Sequence, residues 1–121
     1  MSVVIGQNSA LAEGTLIRSS TRKLNLVAEQ IRGMHVTRAL DVLGNSKRRV
    51  ANEVRKVLIS AIANAENNHG LDVDALSVTE ATVGRAFVMK RFRARARSHS
   101  GKIWKEFSKL RLVVSQNEGV L

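Results

Sequence analysis

The sequence predicts an α+β fold: three helices packed on a small antiparallel sheet, with a long β-hairpin protruding from it. Three observations predict it. Apolar residues keep a helical period as far as Gly70. Beyond Gly70 they fall at every second position, in Leu76 and Val78 and again in Leu110, Leu112 and Val114, as half-buried strands require. Between those groups Arg91, Arg93, Arg95 and Arg97 also recur at spacing two. Helices first and strands later, without a β-α-β rhythm, point to α+β. With 121 residues, 44% of them apolar, and no repeat or linker, the chain reads as one domain.

In chain order, residues 3–5 suit a short β segment. Ser19 or Ser20 then caps a first helix whose stripe is Leu24, Val27, Ala28 and Ile31, with Gly33 just past its end. Thr37 is positioned to cap a short second helix carrying Leu40 and Leu43 and closed by Gly44-Asn45. Ser46 is the expected start of the third and longest helix. Its stripe of Val50, Val54, Val57, Leu58, Ala61, Ile62 and Ala65 runs to the stop at Asn68-His69-Gly70. The globular body covers about 1–84 and 106–121, and the hairpin about 85–105, turning around Arg97-Ser98-His99-Ser100-Gly101.

The charge is unevenly placed. The chain carries +10, and residues 85–111 alone hold ten basic side chains against Glu106. Such a concentration of one sign repels itself, and a polyanion relieves it. In an extended chain, alternate residues share a face about 6.6–6.8 Å apart, close to the phosphate repeat of a nucleic-acid strand. Arg91, Arg93, Arg95 and Arg97 are spaced to track such a backbone, and a guanidinium meets phosphate with two donors. Phe92, on the other face, either stacks on a base or packs. A helix would spray these arginines around its axis and leave no apolar stripe. Half of a hairpin over 85–105 spans roughly 30 Å, more than a domain of this size needs, so it wants a partner around it.

Two helix starts carry the wrong charge. Ser20-Thr21-Arg22-Lys23 and Ser46-Lys47-Arg48-Arg49 put cations where the helix dipole favours anions. An arriving phosphate turns both into binding sites.

Little suggests an enzyme. The chain has no Cys, which excludes a disulfide framework, a Cys zinc site and a thiol nucleophile. His35, His69 and His99 lie in three separate segments, and Asp72 and Asp74 beside Gly70 read as a turn. There is no Gly-rich phosphate loop. No apolar run approaches the roughly 20 residues of a membrane span. The start, Met1 to Gln7, lacks the basic and apolar regions of a signal peptide. The expectation is a strongly basic domain of cytosolic type, with no catalytic residue, cofactor, metal, membrane or small-molecule substrate.

Several motifs in order carry a resemblance. Thr21-Arg22-Lys23-Leu24-Asn25-Leu26-Val27-Ala28, Ile31-Arg32-Gly33 and Ala39-Leu40-Asp41-Val42-Leu43 are followed by Ser60-Ala61-Ile62-Ala63-Asn64-Ala65-Glu66-Asn67-Asn68-His69. Lys90 to Arg97 and Leu110-Arg111-Leu112-Val113-Val114-Ser115 complete the set. Together, over about residues 18–116, they closely resemble the bacterial large-ribosomal-subunit protein L-twenty-two family. The resemblance implies a body on the ribosome's outer surface and a hairpin running inward between rRNA segments. The hairpin tip would then form part of the nascent-peptide exit tunnel, the region that in this family influences stalling peptides and macrolide access. By position in the motif the tip is Met89, Lys90, Arg91, Phe92, Arg93, Ala94 and Arg95.

With the charge map, the candidate rRNA-binding set is Arg22, Lys23, Lys47, Arg48, Arg49, Arg85, Lys90, Arg91, Phe92, Arg93, Arg95, Arg97, His99, Lys102 and Lys105. The partners implied are large-subunit rRNA, neighbouring large-subunit proteins and the nascent polypeptide. The location implied is the cytoplasmic ribosome, with an organellar ribosome left open. Departures are Thr21 in place of a usual Pro, Ser98-His99 in place of Gly-Arg, Lys109 in place of His or Asn, and an unusual Gly101–Glu106 segment containing Trp104. The alternative is a DNA-bending architectural protein with a basic β-ribbon arm, although the wedge Pro of such arms is missing.

Overall fold

The structure is a computed structural model. It describes residues 8–94 and 100–116, with the backbone alone described at 91–94 and 100–103. Strand β1 (Ser9–Ile17) leads into helices α1 (Thr21–Ile31), α2 (Val36–Gly44) and α3 (Val50–His69). Strands β2 (Leu76–Ala94) and β3 (Ser100–Gln116) follow. The sheet is antiparallel in the order β1-β3-β2, and the α+β expectation holds. The expected segment at 3–5 lies outside the described residues.

Helix α1 forms as read. The Ser20 hydroxyl caps it by accepting from the Lys23 N–H at 3.3 Å. Leu24, Val27, Ala28 and Ile31 are all fully buried. Gly33, at φ 84°, ends it in the left-handed region that glycine alone enters freely. That turn sends the Gly33 N–H to the Val78 carbonyl and the Val78 N–H to the Met34 carbonyl, each at 2.8 Å.

The starts of α2 and α3 differ from expectation. His35, not Thr37, caps α2, and its Nδ1 accepts from the Thr37 N–H at 3.2 Å. The same ring donates from Nε2 to the Asp74 carbonyl at 2.6 Å, and His35 bridges Ser77. A contact from a distant segment therefore sets this helix start. Helix α3 begins at Val50 rather than at Ser46. The Ser46 hydroxyl accepts from the Arg48 N–H at 3.2 Å, a local turn that competes with helix at that point. Arg49 stands at the N-cap without a side-chain cap bond. Lys47, Arg48 and Arg49 thus precede the helix, whose first turn carries Glu53.

The α3 stripe of Val50, Val54, Leu58, Ala61 and Ala65 is buried, and Gly70 at φ 63° stops it. The Leu71 N–H then returns to the Ala65 carbonyl at 3.0 Å. Asp72 and Asp74 form a turn as read, with Asp72 Oδ1 accepting from the Asp74 N–H at 3.0 Å.

Leu76, Val78, Leu110, Leu112 and Val114 point into the core beneath the helices. A bulge between Val78 and Glu80 keeps Val78 and Ala81 on that same inward face although they are three apart. The extra residue, Thr79, gives its hydroxyl to the Val113 carbonyl at 3.2 Å. Strand β1 approaches α3 closely at Gly14, where a Cβ would meet Ile17 Cδ1 and Val57 Cγ2 at 2.9 Å. Among the residues whose burial is described, the last buried ones toward the hairpin are Ala81 in β2 and Ser108 in β3, and the ladder between those strands continues to Ala94–Ser100.

Candidate nucleic-acid interface

The two basic segments singled out in the sequence meet in space. Arg22 and Lys23 from the first turn of α1, and Arg48 and Arg49 from the approach to α3, line one cleft of about 560 Å³ together with Leu26 and Val50. Arg49 Nη2 donates to the Arg18 carbonyl at 3.0 Å and ties the two segments together. Helix α1 has no acidic residue in its first turn. Among the described residues, none of Arg18, Arg22, Lys23, Arg48 and Arg49 is ion-paired to a carboxylate. Neighbouring guanidinium and ammonium groups that no carboxylate pairs are suited to receive an anion. Because α3 starts late, Arg48 and Arg49 act there as side-chain cations and not as a helix start. Lys47 does not line the cleft.

A second cleft of about 620 Å³ adjoins the first and shares Lys23 and Arg49 with it. It reaches the root of the hairpin at Trp104, Lys105 and Glu106. Pairing explains the opening. Strand β1 leaves the sheet at Ile17–Ser108, and its chain turns away through Arg18, Ser19 and Ser20 into α1. The edge of β3 before Ser108 is therefore left uncovered by β1 and faces that turn. The buried Ser108 hydroxyl donates to the Ser19 carbonyl at 2.6 Å and fixes one against the other.

Along the hairpin, a second irregularity between Arg85 and Phe87 resets the phase of β2. Phe87 then lies opposite Phe107, the rings stacked at 4.7 Å and 14°. Lys90 lies opposite Trp104, its Nζ 5.2 Å from the ring centroid, a cation–π pair. Met89 pairs with Lys105, Arg91 with Ile103, Phe92 with Lys102, Arg93 with Gly101 and Ala94 with Ser100. Ser100 and Gly101, expected in the turn, thus belong to the ladder. Arg95, Arg97 and His99 lie outside the described residues.

The structure brings Arg22, Lys23, Arg48, Arg49 and Lys105 together and sets Arg85 and Lys90 along the hairpin. Sequence reasoning missed Arg18 and Trp104 as members of this surface. Arg18 had a visible signal, since it directly precedes the Ser19-Ser20 cap. Trp104 had none. Among the described residues no three His, Cys, Asp or Glu are grouped to hold a metal, and no helix is long and apolar enough to cross a membrane.

The sequence model of the family described as Ribosomal protein L22p/L17e matches residues 12–115, reaching into β1, which sequence reading had left outside the resemblance. A protein of Erythrobacter litoralis named large ribosomal subunit protein uL22 is 58% identical over 114 residues, covering 94% of this chain and 91% of that protein. Proteins of the same name from Zymomonas mobilis and Rhodospirillum centenum are 57% and 62% identical, over 94% and 93% of this chain and 90% and 85% of their own lengths. The family model matched over residues 12–115 and identity of this extent across nearly the whole chain lead to one conclusion: the chain belongs to the ribosomal protein L22p/L17e family.

Proposed function

We propose that the chain is a structural constituent of the large ribosomal subunit that binds rRNA through its backbone phosphates and supports subunit assembly. Its family is one of ribosomal structural proteins and not of enzymes. The observation that carries the proposal is the convergence of Arg22, Lys23, Arg48 and Arg49 on one cleft without paired carboxylates. A phosphodiester supplies the missing charge at each position, and the hairpin extends the cationic track away from the body. Arg85, Lys90, Arg91, Arg93, Arg95, Arg97, His99, Lys102 and Lys105 continue the contact along the hairpin, and Lys47 adds to it at the approach to α3. Met89 to Arg95 reach the nascent-peptide exit tunnel, whose wall they help to form. The remaining partners are neighbouring large-subunit proteins and the nascent polypeptide, on cytoplasmic ribosomes.

Two features support the hairpin assignment. The β2–β3 ladder runs on past Ala81 and Ser108, and none of the described hairpin side chains, 85–90 and 104–105, is buried. It also leaves Phe87 and Trp104 about half exposed, at 44% and 51%. Sedimentation of a cell extract tests the proposal: the chain travels with the large subunit and leaves it only in high salt. Recovery solely among free proteins overturns it.

A further inference from the structure

We propose that the junction between α1 and the hairpin root seats one unpaired nucleotide of an RNA strand, its base stacked on Trp104 and its flanking phosphates held by Arg18, Lys23, Arg49 and Lys105. This rests on the RNA-binding reading above and names the form of RNA that the junction takes.

Trp104 carries the inference. A tryptophan offers one of the largest apolar surfaces of any side chain and is normally put to use. Here it stands 51% exposed on a strand that has left the core. The other described aromatic side chains of the hairpin, Phe87 and Phe107, satisfy each other by stacking. Trp104 has no aromatic partner among the described residues; Lys90 lies over its ring at 5.2 Å. Around it the cleft of about 620 Å³ is lined by Arg18, Lys23, Arg49 and Lys105, with Glu106 its one acidic member. That volume lies within the roughly 300–1,000 Å³ typical of sites for small ligands.

A flat apolar face beside several cations asks for a flat ligand carrying an anion on a short tether. A nucleotide has that form. A duplex does not, because its base faces are already stacked on one another, whereas a splayed base presents a free face to an aromatic side chain. The junction therefore distinguishes unpaired RNA from paired RNA, which phosphate contacts alone do not.

The chain contains one Trp and no Tyr, so its intrinsic emission reports on Trp104 alone. The full chain is titrated with end-labelled single-stranded RNA and with duplex RNA of the same length. Binding is read from label anisotropy and stacking from tryptophan emission. The expected pattern is quenching that saturates with single-stranded RNA and is absent with duplex. Trp104→Ala then weakens the single strand about 10- to 100-fold and leaves duplex affinity unchanged. Trp104→Phe, which keeps a stacking ring, restores most of the loss, and circular dichroism verifies that each variant is folded. Saturable binding of the single strand without quenching overturns the inference, whatever the variants do. So does an equal loss for both RNAs in Trp104→Ala, which marks a purely structural role. If anisotropy shows neither RNA binding at all, the RNA-binding reading falls and this inference falls with it.

Discussion

The Ser108 hydroxyl donates to the carbonyl oxygen of Ser19 across 2.6 Å, with Ser108 wholly out of solvent. At this point β1 ends, the cap of α1 begins and the hairpin leaves the body, so one hydrogen bond joins three boundaries. Ser108→Ala leaves a buried carbonyl without its partner, at a cost of about 1–3 kcal/mol. Urea unfolding of the free protein is expected to show the midpoint falling with an unchanged slope, the mark of a stability effect without a change in exposed surface.

Gly14 and Gly84 offer a matched pair. A Cβ at Gly14 would come within 2.9 Å of both Ile17 Cδ1 and Val57 Cγ2, whereas one at Gly84 would meet nothing within 4 Å. Neither has the positive φ that marks Gly33 and Gly70, so space alone separates them. Gly14→Ala overpacks the β1–α3 contact and is expected to destabilise by about 1–3 kcal/mol. Gly84→Ala is expected to be neutral or slightly stabilising, and thermal melts of the two variants against the parent check the contrast.

What the sequence made legible follows from how local each cause was. The bodies of the helices were readable because Leu24, Val27, Ala28 and Ile31, and then Val50 to Ala65, repeat at the helical period. Two helix starts were not. His35 caps α2 because its ring is held by the Asp74 carbonyl, and the Ser46 hydroxyl is engaged by the Arg48 N–H. Strand β1 was hidden because two of its three buried positions are the small residues Ala10 and Ala12, and its register shifts after Gly14. The cationic segments were visible singly. That Arg22 and Lys23 share a cleft with Arg48 and Arg49 depends on how α1 and α3 pack, which no local pattern encodes.

His35 provides a check on that account. Its ring caps α2 through Nδ1 and reaches the Asp74 carbonyl through Nε2. His35→Ala removes both bonds and is expected to cost about 1–2 kcal/mol, the upper range for loss of a helix cap. His35→Asn keeps a capping oxygen but cannot span to Asp74, so its melting temperature is expected to fall between the two.

Arg91, Arg93 and Arg95 follow Ala81, the last buried residue among the described residues of β2. Changing all three to Ala is expected to leave helical circular dichroism and melting temperature as in the parent. RNA affinity is expected to drop in the same preparation. A lost helical signal would mean that the body depends on these arginines and would overturn the prediction.

The last prediction concerns the physical origin of binding itself. Each phosphate neutralised by a side chain releases condensed counterions, so affinity falls with salt in proportion to the number of contacts. With about eight contacts, the slope of log K against log salt is expected near −6 to −7. Arg22 and Arg48 are exposed and sit on the two different segments that form the cleft. Their joint replacement by Gln should flatten the slope by about 2 and weaken binding similarly across RNA sequences. If the double variant bound more weakly with an unchanged slope, the cleft would be acting through shape or packing and its cations would not be touching phosphate. Filter binding over a series of salt concentrations separates the two.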